Sequence, residues 1–126
     1  MDQKLQELLY SKGVFRHYQG YEYFVRSVYM VLENPERLQH MYKELYLPIA
    51  LEYKKDVRTV EKNIRKVRDV FVKNGGTSLL AEMGGGKFWD DKTPYPREMI
   101  EIFAFYLKGQ DNGTARRILI KCCENL

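Results

Sequence analysis

The stretch "LPIALEYKKDVRTVEKNIRKVRDVFVKNGG", residues 47–76, holds two helical patterns separated by three polar residues. In the longer pattern Val57, Val60, Ile64, Val67 and Phe71 recur in steps of 3, 4, 3 and 4. With about 3.6 residues per turn, those five side chains share one side of a helix, the side expected to face a core. Arg58, Lys62, Arg65 and Lys66 fall on the opposite side, with Thr59 beside them and Asp69 one turn further on. Asp56 stands where an N-cap belongs, because its carboxylate can accept free amide protons of the first turn and suits the helix dipole. A helix from Val57 to Asn74 is therefore expected, ended by Gly75-Gly76.

The shorter pattern, LPIALEY (residues 47–53), carries Pro48 near its start and Ile49, Ala50 and Tyr53 as apolar contacts that should seat the basic helix. A short helix, a brief polar turn (Lys54-Lys55-Asp56) and a longer basic helix is the helix-turn-helix order, in which the second helix enters the major groove. Arginine can contact both acceptors of guanine at once, glutamate can accept from the cytosine amino group, and lysine is a more flexible donor. Two features favour an ordinary solvated face instead. Glu61 with Arg65, and Arg65 with Asp69, have the i,i+4 spacing of surface ion pairs, and the turn lacks the glycine often found there.

Helical spacing continues outward in both directions, with few alternating runs that would call for strands. Helices are expected over Asp2 to Tyr10, Gly20 to Glu33 and, after the Asn34-Pro35 break, Pro35 to Tyr46. Beyond the basic helix come a short helical piece, Ser78 to Met83, a Gly-rich loop, and a helix from Pro96 to Lys108. A closing helix capped by Thr114 is expected after that. With 126 residues and no internal repeat, the chain reads as one domain, residues 1–126, with 109–126 as an extra C-terminal segment.

Charge is concentrated in the same place. Between Lys54 and Lys73 eight basic residues stand against three acidic ones, a local +5 in a chain of net +4, so the remainder sums to −1. A basic segment on a near-neutral body is the footprint of a phosphate-backbone binder. No apolar run is long enough to span a bilayer, and the start MDQKLQELLYSKG lacks the pattern of a signal peptide, so cytoplasmic residence without a membrane partner is expected. The two cysteines, Cys122 and Cys123, are adjacent and suit neither a disulfide framework nor zinc.

GVFRHYQGYEYFVRSVYMV (residues 13–31), followed by LYLPIALEYKKDVRTVEKNIRKVRDVFVKNG, resembles the C-terminal effector domain of the sporulation stage-zero A response regulator family. The resemblance runs from about Leu8 to Leu107. It is most specific at Gly20, Tyr21 and Tyr23, in YLPIA (Tyr46 to Ala50), and at Val60, Glu61, Ile64 and Arg65. It implies an all-α, compact domain of about six helices with a helix-turn-helix, in the winged-helix-like DNA-binding superfamily. It further implies binding to a promoter box in double-stranded DNA, in adjacent copies that form a homodimer on DNA, and contact with the sigma subunit of RNA polymerase. The family's DNA-contacting positions match Glu61, Lys62, Arg65 and Lys66. Lys62 and Thr59 stand where the family usually has arginine, and Lys66 where it has histidine. Lysine keeps the charge but loses the planar fork, which should weaken discrimination at a guanine more than overall affinity. The family's usual form carries a phosphorylated receiver domain ahead of this one, so either an excised effector domain or a free-standing relative without a phosphoacceptor receiver is expected.

The expectation is thus a non-enzymatic, sequence-specific transcription regulator. Glu61, Lys62 and Arg65 contact bases; Lys54, Lys55, Arg58, Thr59 and Lys66 contact phosphates. The alternative is a protein-interaction module that modulates a full-length regulator or RNA polymerase without reading DNA. No metal or cofactor is expected: GGGK at Gly84 to Lys87 lacks the remaining positions of a phosphate loop, and His17 and His40 have no partner at ligand spacing. The aromatic stripe Tyr18, Tyr21, Tyr23, Phe24 and Tyr29 reads as helix-packing surface.

Overall fold

Three phenyl rings show where the helices meet. Phe103 packs edge-on against Phe24 at 5.1 Å and against Phe71 at 5.5 Å, joining three elements far apart in the chain. The computed structural model describes residues 2–84 and 93–111. Among these, the order is α1 (Asp2–Tyr10), α2 (Gln19–Glu33), a 3₁₀ turn (Pro35–His40), a π turn (Tyr42–Tyr46), α3 (Leu47–Tyr53), α4 (Val57–Lys73), α5 (Gly76–Met83) and α6 (Pro96–Asp111). No strand occurs among the described residues, and the fold is all-α. No helix among them is long and apolar enough to cross a membrane.

Helix α2 lies at the centre and packs most extensively on α4 and α6. The apolar side of α4 is where its spacing put it: Val60, Ile64, Val67 and Phe71 are buried, and Val57 is half-buried. Its main seat is α2, with α3 second, rather than LPIALEY alone. The stripe on α2 divides the same way, with Tyr21, Tyr23 and Phe24 buried and Tyr18 and Tyr29 partly so. At its amino end, α2 comes so close to α4 that a Cβ on Gly20 would collide with the Asn63 carbonyl and with Val67.

The segment expected as one helix, Pro35 to Tyr46, is instead a 3₁₀ turn followed by a π turn. Asn34 caps its start by accepting from the Glu36 amide at 3.1 Å. Pro48 explains its end: proline has no amide proton to donate to the carbonyl four residues back, and its ring crowds that carbonyl. The ladder slips by one residue, and the Leu47 amide donates to Tyr42 instead. Arginines tie the segment to its neighbours, Arg97 donating to the Leu38 carbonyl of the 3₁₀ turn and Arg37 to the Met30 carbonyl near the end of α2, each at 2.8 Å. Helix α5 starts at Gly76, two residues before the expected Ser78, and α6 runs three residues past the expected Lys108. The expected closing helix and most of GGGK lie outside the described residues.

Candidate nucleic-acid interface

Helix α3 stops through a backbone device. Lys54 adopts the left-handed conformation, φ 56° and ψ 47°, the one non-glycine residue with positive φ among those described. The Lys55 amide then donates to the Ala50 carbonyl at 2.9 Å and the Lys54 amide to Leu51 at 3.4 Å. This paired arrangement usually ends on glycine. The turn therefore keeps the glycine geometry with a lysine in place, and Lys54 and Lys55 both stand exposed beside the next helix.

Asp56 starts that helix as expected, its Oδ1 accepting from the Arg58 amide at 2.7 Å. Arg58, Lys62, Arg65 and Lys66 are all exposed on the outer side of α4, Thr59 and Glu61 being partly buried among them. The Arg58 guanidinium lies 3.9 Å from Asp56 with its side chain 90% exposed, so the pair does not restrain it. Asn63 fixes the turn beneath by donating to the Thr59 carbonyl at 2.8 Å.

Of the two ion pairs anticipated on this face, one is present. Glu61 Oε1 lies 3.7 Å from Arg65 Nη2, and both side chains remain about half exposed, 42% and 53%. Asp69 does not pair with Arg65. It is taken by Arg68, whose Nε donates at 2.8 Å while its Nη1 donates to the Pro94 carbonyl at 3.0 Å. Arg68 is thereby a structural clasp between α4 and the start of α6, and Arg65 is left with a single loose partner. Below Glu61 and Arg65 sits Tyr46, whose phenol is pushed up to about 12, chiefly by burial, with the Glu61 charge adding and Arg65 and Arg68 opposing.

The loop between α1 and α2 borders this face, which sequence spacing did not reveal. Asn74 at the end of α4 donates to the Lys12 carbonyl at 3.0 Å, pinning the loop to the helix. A cleft of about 240 Å³ is lined by His17, Tyr18, Gln19, Asn63 and Lys66. An adjoining cleft of about 270 Å³ brings Arg16, His17 and Gln19 against Tyr53 and Lys55. The available signal was RHYQG, residues 16–20, a basic and aromatic run leading into the most specific motif of α2. His40, by contrast, is exposed on the 3₁₀ turn, and among the described residues no group of three metal-ligating side chains occurs.

The model of the family described as "Sporulation initiation factor Spo0A C terminal" matches residues 5–107. The chain belongs to this family. It is thus a member of a sporulation-factor C-terminal effector family whose domain binds DNA and regulates transcription. The match begins within α1 and ends within α6, and so takes in the helix-turn-helix and the loop against it.

Proposed function

We propose that this domain reads a promoter box by laying α4 in the major groove of double-stranded DNA. Arg65 and Glu61 contact base edges, Lys62 assists, and Lys54, Lys55, Arg58, Thr59 and Lys66 hold phosphates on either side. The observation that carries this reading is the outward face of α4. Four exposed cations lie on it, two of them only loosely engaged by carboxylates, Arg58 by Asp56 at 3.9 Å and Arg65 by Glu61 at 3.7 Å, on a helix whose start is set by a capped three-residue turn. A merely solvated face would interleave its charges more evenly. In keeping with the family, the domain works as a single non-enzymatic unit in the cytoplasm, with 109–126 as an appended segment. It binds as adjacent copies on DNA and contacts the sigma subunit of RNA polymerase.

Selection of bound sequences from random DNA, followed by titration in increasing salt, tests the reading. Four phosphate-holding cations predict a slope of about −4 in log K against log salt, from roughly −0.9 per phosphate. Arg65→Ala should cost about 1–3 kcal/mol on the selected box and flatten preference at one base pair. Lys66→Ala should weaken selected and random DNA alike and reduce the slope by about 1. Lys62→Arg restores the planar fork and should sharpen discrimination at a guanine. No enriched box together with salt-independent binding would sink the proposal.

A further inference from the structure

The two clefts beside α4 share His17, Tyr18 and Gln19, so the loop forms a ridge with Lys66 on one side and Lys55 on the other. That ridge is built rather than loose. The Val14 amide donates to Leu9 at 3.0 Å and the Tyr18 amide to Phe15 at 3.1 Å. The His17 ring stacks on Tyr18 at 4.6 Å and lies nearly parallel to Phe15 at 6.0 Å. Phe15 in turn meets Tyr10 of α1 edge-on at 5.3 Å. Arg16 and His17 project from this braced segment and are exposed. Against the cations Arg16, Lys55 and Lys66, one carboxylate, Glu22, lines the clefts among the described residues.

We infer that the α1–α2 loop, through Arg16 and His17, is a second grip on the DNA, holding the sugar-phosphate backbone that flanks the groove entered by α4. The ligand is the phosphodiester backbone of the same duplex. The loop is continuous with the α4 face through Lys66 and with the helix-turn-helix turn through Lys55, and Arg16 supplies a fixed charge where a backbone would run past them. His17 supplies a ring N–H held in orientation by its two aromatic neighbours. Bracing matters here because a preordered loop loses little conformational freedom on binding. A contact of this kind adds affinity without reading sequence.

The inference rests on α4 reading DNA, and the experiment separates the two. Binding of the full chain to a fluorescein-labelled duplex carrying its selected box, and to a scrambled duplex, is measured by anisotropy from 50 to 200 mM KCl. Wild type, Arg65→Ala and the double variant Arg16→Ala/His17→Gln are compared. Both loop residues are exposed, and an unchanged urea midpoint establishes that the double variant is folded. The double variant should bind both duplexes about tenfold more weakly, with the preference ratio intact and the salt slope smaller by about 1, the share of the Arg16 charge. Wild-type affinity and slope in that variant, alongside lost preference in Arg65→Ala, would overturn the loop grip and leave the α4 reading standing. A lost preference ratio in the loop variant would overturn it too, placing the loop on base edges. Absence of salt-dependent binding by the wild type would overturn both.

Discussion

Lys54 concentrates the problem of the turn in one residue. Left-handed backbone costs an L-residue roughly 1–2 kcal/mol, and glycine escapes the cost because it has no Cβ. The lysine is held there by the two amide-to-carbonyl bonds that close α3. Lys54→Gly removes the strain but gives the unfolded chain more freedom, so stability should change by less than about 0.5 kcal/mol. Lys54→Val places a branched Cβ in the same conformation and should cost about 1–2 kcal/mol. Urea midpoints of the two variants check this, and a glycine variant destabilised like the valine one would show that the lysine stem, not the backbone, matters. Because Lys54→Gly keeps the turn and loses the cation, it should also reduce the salt slope of DNA binding by about 1. The sequence pattern did not disclose this position, since lysine carries no signature of positive φ. Asp56 one step later was legible because carboxylates favour that place for a reason readable in the residue itself.

Among elements, the pairing of α2 with α4 sets where the basic face points. Gly20 lets the start of α2 approach the α4 backbone, and an added Cβ would lie 2.8 Å from both the Asn63 carbonyl carbon and Val67 Cγ2. Carbonyl carbon cannot swing aside, so Gly20→Ala should destabilise by about 2–3 kcal/mol, at the upper end of ordinary overpacking. Ser78→Ala, at an exposed position of α5, serves as the control and should shift stability by less than about 0.5 kcal/mol. Equal midpoints for the two would mean the helices have room to part. The boundaries of α1, α2, α3 and α4 were legible because apolar periodicity is interrupted there by proline, glycine or a capping residue. The π turn was not, because its cause, Pro48, acts backward on a carbonyl whose own residue reads as helical, and the 3₁₀ turn before it follows an Asn34 cap and Pro35 that suit the start of an α-helix equally well. The expected Arg65–Asp69 pair failed for a related reason: spacing says which side chains lie one turn apart, not that Arg68, anchored on the Pro94 carbonyl, takes Asp69 instead.

At the scale of the whole molecule, what sequence could not supply was adjacency across long separations, above all the packing of residues 16–19 against α4. The same long-range packing links the basic face of α4 to global stability through Tyr46. Its phenol is buried at the joint of the π turn and α4, near Glu61, and is raised from an ordinary value of about 10 to about 12. Below pH 10 both folded and unfolded chains keep the proton, and the full stabilisation is present. As pH rises past 10 the unfolded chain releases its proton first, so the unfolded state gains and stability falls until the folded phenol also titrates near 12. The loss specific to Tyr46 should be about 1.4 kcal/mol by pH 11, one unit into that window. Tyr53, also raised by burial, is common to wild type and Tyr46→Phe and cancels in their difference. Urea midpoints measured from pH 8 to pH 11 should therefore fall faster for wild type than for Tyr46→Phe. Parallel curves would show that the phenol stays in contact with water, and that the floor beneath Glu61 and Arg65 is open rather than closed.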